Sequence, residues 1–219
     1  ANEAPRDPYC CLATSEEFVT DWDSGKLDLY DSSQAPSAKY LQEVAIRAES
    51  SALEIKGVAK AQGASSALSD VSIHLSTSNG FSGGYRRTSH SISCVAISGE
   101  GLNMERDWCG ESHSHYASVP SPEEIGRLAG ERAVARAGAV RPPTGFYPVL
   151  FDERISSSLI GHLVAAVNGA SIVRGSSVLK NYLGKQILPA GVSLLEDPTR
   201  KSMAGSKPFD AEGLAAEPR

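Results

Sequence analysis

The apolar positions change period along the chain, and those changes mark the elements. Between about Pro36 and Ile55, Leu41, Val44, Ala45, Ala48, Ala52 and Ile55 recur at helical spacing, with Pro36 suited to a first turn and Gly57 to a stop. The period then drops to two: Val71, Ile73 and Leu75 alternate with Ser72, His74 and Ser76, the pattern of a half-buried strand. Ser78-Asn79-Gly80 reads as a turn. A second alternating run holds Ile92, Cys94 and Ala96, and after Gly99-Glu100-Gly101 a third extended stretch covers 102–108. Together these runs predict an antiparallel meander.

Ser121-Pro122-Glu123-Glu124 announces another helix: Ser121 caps, Pro122 opens the first turn and Glu124 completes a capping box. Ile125, Leu128, Ala129, Ala133 and Ala137 continue it as far as Gly138. Arg141-Pro142-Pro143-Thr144-Gly145 breaks the pattern and is the best domain boundary. Beyond it, Tyr147–Phe151 reads as a buried strand, Ile155 to Val167 as a helix ended by Gly169, Ser177 to Leu183 as a shorter helix, and Val192–Leu195 as a strand. The segment before Pro36 has one short helix near Ser15–Val19, and the tail from Asp197 has no period. The fold class is therefore α+β, with helices packed on an antiparallel sheet. Three regions follow: a connecting segment 1–34, a middle domain 35–140 and a further domain from 141 to 219.

Composition narrows the function classes. The 219 residues are 41% hydrophobic and 21% charged, enough to bury a core. A net charge of −5, with no cluster of Lys and Arg, argues against direct nucleic-acid binding. No apolar run is long enough to span a membrane. Cys10, Cys11, Cys94 and Cys109 lack CxxC spacing, so reduced thiols and a cytoplasmic setting are the simplest reading.

Candidate chemistry is sparse. Asp107, Cys109, His113 and His115 form the most conspicuous cluster; on a strand, His113 and His115 share a face and could reach one metal ion. The spacing matches no zinc pattern, and exposed polar residues are the simpler account. His162 sits in an apolar helix without a carboxylate or serine partner in sequence, which favours a packed, hydrogen-bonded histidine. Gly80-Phe81-Ser82-Gly83-Gly84 lies between two strands and lacks the lysine of a phosphate loop, so it reads as a hairpin connection. Glu196-Asp197 and Asp210 with Glu212 are acidic pairs for which solvation is the default.

Longer motifs carry a resemblance. Ser158-Leu159-Ile160-Gly161-His162-Leu163-Val164-Ala165-Ala166-Val167-Asn168-Gly169, then Leu183 to Pro189, and the run Ser206-Lys207-Pro208-Phe209-Asp210-Ala211-Glu212-Gly213 resemble the TldE/PmbA family. Leu27-Asp28-Leu29-Tyr30, Ser78-Asn79-Gly80-Phe81 and Met104-Glu105-Arg106-Asp107 fall in the family's order, so the resemblance covers nearly the whole chain. Family members are roughly twice this length, which implies an internal fragment: a middle domain plus the start of a C-terminal domain. The stretch from Trp108 to Tyr116 departs from the family's pattern.

The resemblance implies a subunit of a two-subunit zinc peptidase acting on unfolded peptides. Its TldD-like partner carries a His-Glu-x-x-x-His helix that binds zinc and activates water. Aligned through Gly169, the corresponding positions here are Ile160, Gly161 and Ala165, none able to ligate a metal or act as a base. The expectation is a chain that has no cofactor of its own and is non-catalytic alone, with His162 and Asn168 as candidate peptide or interface contacts. Two alternatives stay open: a protein-interaction module linked to modulation of DNA gyrase, and an independent metallohydrolase using His113 and His115.

Overall fold

The computed structural model describes residues 12–219. Cys10, Cys11 and the first part of the expected connecting segment lie outside the described residues. Two compact units are present, one comprising 12–140 with 196–219, the other 141–195.

In the larger unit, α1 (Ala38–Leu53) leads into three antiparallel strands, β1 (Val58–Ser76), β2 (Ser82–Ser98) and β3 (Glu105–His113), followed by α2 (Pro122–Ala135). The sheet order is β1-β2-β3. Ser37 caps α1 by accepting from the Tyr40 amide, and Ser121 caps α2 by accepting from Glu124, with Pro122 in the first turn. Both helices lie on one face of the sheet. Val44, Ala48 and Ala52 of α1 and Ile125, Ala129 and Ala133 of α2 close over Ile92, Cys94 and Ala96 of β2 and Cys109 of β3. Small residues set the helix spacing. A Cβ on Gly126 would stand 2.0 Å from the Ala48 carbonyl oxygen, so only glycine permits this approach.

The strands are longer than alternation predicts. β1 starts at Val58 rather than Val71, because Ala64 to Ala67 are too small to show a pattern yet pair in register with β2. From Gly63 opposite Val95 to Ser76 opposite Ser82 the ladder is unbroken; its register shifts fall before Gly63. The third strand lies later than expected: 101–103 form a 3-10 turn, and β3 reaches His113 opposite His90. Near Ser15–Val19 the chain makes a turn, not a helix.

The tail is ordered against this unit despite its lack of period. Phe209 is buried and packs edge-on to Phe81 and Trp22, with ring centres 5.2 and 5.4 Å apart, and Tyr85 stands 5.5 Å away. Asp210 Oδ1 accepts from the Glu212 and Leu214 amides and bends the chain. Gly213, at φ +88°, lies so close to Phe81 that a Cβ would be 2.6 Å from its ring.

The second unit holds α3 (Glu153–Val167) and the short α4 (Gly169–Val173). Three sequence expectations fail here. Tyr147–Phe151 and Val192–Leu195 form no strand, since no neighbouring strand among the described residues takes up their backbone groups; the 147–151 stretch is exposed, not buried. Ser177 to Leu183 forms turns. The Ser177 hydroxyl donates to the Ala166 carbonyl at 2.5 Å and accepts from the Leu179 amide, a local bond that competes with helix.

Candidate functional site

α3 presents the positions that the sequence alignment singles out. It is a regular α-helix, started by the Asp152 carboxylate accepting from the Arg154 amide. Ile160 is exposed, Gly161 has nothing within 4 Å of a notional Cβ, and Ala165 is exposed too. None offers a donor atom to a metal. His162 is exposed on the same helix, not packed as its apolar neighbours suggested. Asn168 caps α4, its Oδ1 accepting from Ala170 at 3.0 Å. Beside the end of α3, Val167, Ile172, Leu179, Tyr182, Leu183 and Ile187 line an open cavity of about 270 Å³, with Lys185 at its rim.

His113 and His115 do not converge. β3 ends at His113, so His115 lies beyond the strand and the two-residue rule no longer aligns them. His113 Nε2 is 3.8 Å from Glu111 and His115 Nε2 is 3.2 Å from Asp28 Oδ1. Among the described residues no three His, Cys, Asp or Glu side chains gather as a metal site needs. Gly80 to Gly84 form the β1–β2 hairpin tip, where a Cβ on Gly83 would strike Phe81 and Trp22 at 2.8 Å. No phosphate cradle is built there. Cys94 is buried, and burial pushes its thiol up to about 11, which makes it inert.

The most perturbed polar cluster lies where sequence reasoning did not look. His90 points from β2 into the core and is 4% exposed. Its Nε2 stands 3.3 Å from Asp31 Oδ2, close enough for charge pairing, but neither ring nitrogen makes a hydrogen bond among the described residues. Asp31 is held from several sides. The Ser33 amide donates to Oδ1 at 2.9 Å, and the Tyr116 amide to Oδ2 at 2.8 Å. The Ser33 side chain first, then the Tyr116 amide, hold its carboxyl down at about 2 in spite of burial, with the Ser33 amide adding to them. Burial and a 2.9 Å bond to the Tyr40 hydroxyl push Tyr116 up to about 12. Thr88 completes the joint: its hydroxyl donates to the Ser114 carbonyl and accepts from the Asp31 amide, while its own amide donates to the Leu29 carbonyl. The segment 27–33 thus takes the place beside β2 where β3 has ended. Asp28 adds a second carboxylate–histidine contact through His115 and accepts from the Ser202 hydroxyl, at a left-handed φ of 51°. One signal was available in sequence: His90 falls on the apolar phase of a strand, two residues before Ile92.

Comparison with known proteins places this geometry. Residues 28–137 match the family model described as the PmbA/TldA metallopeptidase central domain, and residues 144–219 match that family's C-terminal domain. The chain belongs to the PmbA/TldD family. In that family's terms, the Asp31–His90 cluster lies in the central domain, while α3 and the Phe209 tail lie in the C-terminal domain match. The chain is 32% identical to the metalloprotease PmbA of Escherichia coli O157:H7 over 97% of its own length, and 29% identical to the PmbA homologue of Haemophilus influenzae. It spans 47% of the length of either relative. Among solved structures it resembles a protein from Bacteroides thetaiotaomicron described as a candidate modulator of DNA gyrase, with TM-score 0.88, 26% identity, and coverage of all of this chain and 50% of that one. The TldE structure from Thermococcus kodakarensis shares the fold, with TM-score 0.72 at 16% identity over 100% of this chain and 48% of that one. No helix among the described residues is long and apolar enough to cross a membrane.

Proposed function

We propose that this chain is the TldE/PmbA-like subunit, without a zinc site of its own, of a two-subunit metallopeptidase that acts on unfolded peptides. The observation that carries the proposal is the chemistry of α3: Ile160, Gly161 and Ala165 stand where a TldD-like partner has metal ligands and a base, and they supply neither. The family's metal does not fit these residues, so the hydrolytic step belongs to the partner, whose zinc polarises the peptide carbonyl and activates water. This chain shapes the chamber and holds the substrate. The cytoplasm, where cysteines stay reduced, is the setting this reading infers for the complex.

Co-purification with a TldD-like protein tests the proposal. The expected result is a stable complex that cleaves an unfolded peptide, with zinc in the partner and neither chain active alone. One zinc per chain in the isolated protein, lost on His113→Ala, would favour the metallohydrolase reading instead. Capture of gyrase in place of the TldD-like protein would favour the gyrase-linked reading, which the description of the Bacteroides structure keeps in view.

A further inference from the structure

Where β1 begins and β2 ends, Lys60, Ile97 and Arg106 stand side by side in register across the three strands. The residues flanking Ile97 point to the helices: Ala96 lies in the core, and the Ser98 hydroxyl donates to the Ala133 carbonyl of α2. The row itself therefore lies on the opposite face, with Ile97 half-buried between two exposed cations. A bulge before Gly63 turns Gln62 onto that face, and its Oε1 accepts from Arg106 Nη1 at 3.2 Å. Met104 and the Arg136–Glu105 pair, 3.5 Å apart, complete an open cleft of about 540 Å³. Arg136 is thus answered by a carboxylate. Lys60 and Arg106 are not: among the described residues no carboxylate pairs with either. In a chain of net charge −5, two such cations facing each other across one strand are a local exception.

We propose that this cleft binds a carboxylate carrying an apolar group, its occupant being the C-terminal residue of a peptide. The choice of a peptide rests on the peptide-handling role proposed above. Strand spacing puts the Lys60 and Arg106 backbones about 10 Å apart, a gap that two long side chains close around one small anion. Gln62 holds the Arg106 guanidinium by Nη1, which leaves Nε and Nη2 as a planar fork for the two oxygens of a carboxylate. Lys60 adds a mobile point charge from the other side. A bare phosphate would use these cations but not the floor. Ile97 and Met104 offer apolar surface beside them, which an aliphatic side chain next to the carboxylate would cover. The feature recognised is a chain end rather than a backbone, so the cleft fixes which way a peptide lies.

Fluorescence anisotropy on the 219-residue chain tests this, with a short peptide that has no charged side chain, ends in leucine and is labelled at its N-terminus. It is compared as the free acid and as the C-terminal amide. The acid is expected to bind about tenfold more tightly than the amide at low ionic strength, with the gap narrowing as salt screens the cations. Glycine in place of the terminal leucine should weaken binding of the acid severalfold. Lys60→Gln and Arg106→Gln should each remove most of the preference for the acid. Lys60→Arg should keep it, which separates lost charge from a disturbed sheet. Equal binding of acid and amide overturns the proposal, as does a preference that survives both glutamine substitutions together. Inorganic phosphate that displaces the peptide at a lower concentration than N-acetyl-leucine overturns the assignment to a carboxylate. If a complex reconstituted with the TldD-like protein cleaves peptides while the isolated chain binds acid and amide alike, this inference fails and the proposed function stands. A chain that prefers the acid but yields no cleavage in that complex keeps the cleft and removes the proposed function.

Discussion

Asp31 Oδ2 is shared between the His90 ring, 3.3 Å away, and the Tyr116 amide, 2.8 Å away, so one carboxylate oxygen joins the segment before α1 to two different elements. The joint is buried, and its charge has a pH signature. A carboxyl held at about 2, against an ordinary value of about 3.9, contributes stability that is fully present above the ordinary value and is lost as pH falls through about 2. The Asp31→Asn variant lacks this contribution. Urea denaturation should show it less stable by about 1–3 kcal/mol at neutral pH. Its stability should also fall less steeply than that of the parent between about pH 4 and pH 2. A variant as acid-sensitive as the parent would count against the account.

The helix pair gives a contrast between two glycines. Gly126→Ala places a methyl group against the Ala48 backbone, which cannot give way without moving α1, and should cost about 3 kcal/mol or more. Gly161→Ala, in open space on α3, removes a flexible residue from a helix interior and should raise helix stability by about 0.5–1 kcal/mol. Thermal melts of the two variants followed by circular dichroism separate the effects.

Phe209 is the keystone of the tail. Phe209→Ala removes a buried ring that touches Phe81, Trp22 and Tyr85, at a cost of about 3–5 kcal/mol. The local consequence is more specific than the global one. Limited proteolysis should find new cuts between Glu196 and Arg219 and at the hairpin tip before it finds cuts in α1 or α2.

Restoring the missing side chains on α3 should not restore a metal site. In a regular α-helix, residues five apart point about 140° away from each other. Ile160→His and Ala165→His, combined with Gly161→Glu, therefore place the two imidazoles on different faces. Elemental analysis after dialysis should find much less than one zinc per chain; a full equivalent would mean that the helix widens locally to bring them together.

The parts of the fold that sequence made legible are those with a period. α1 and α2 appear within a few residues of where their apolar stripes and caps put them, because Val44, Ala48 and Ala52, or Ile125 and Ala129, bury against a single face, and α3 follows its stripe although none of its side chains is buried. β1 between Val58 and Val71 was hidden by alanine and serine, which pair through the backbone without advertising a face. Tyr147–Phe151 was misread for the opposite reason: a run of large apolar residues resembles a buried strand, yet a strand exists only where another accepts its hydrogen bonds. The Asp31–His90 contact joins residues that are remote in sequence, and it depends on β3 ending at His113, the partner of His90 in the ladder. That is a property of topology, which periodicity does not record. Family motifs pointed to Phe209 and Gly213, but only the packing against Phe81 explains why a phenylalanine and a glycine are needed there.

In the 141–195 unit Ser177 is the only buried side chain, while Leu159, Val164, Leu183 and their neighbours face outward. A segment of this kind has almost no hydrophobic driving force within its own boundaries. Its helices are weak in isolation, since short helices in water depend on an apolar surface lying against them. Any surface that covers this face would therefore add to the stability of α3. Amide exchange in α3 would then serve as a gauge of assembly, fast when the apolar face is bare and slow once it is covered, and readable without any catalytic assay.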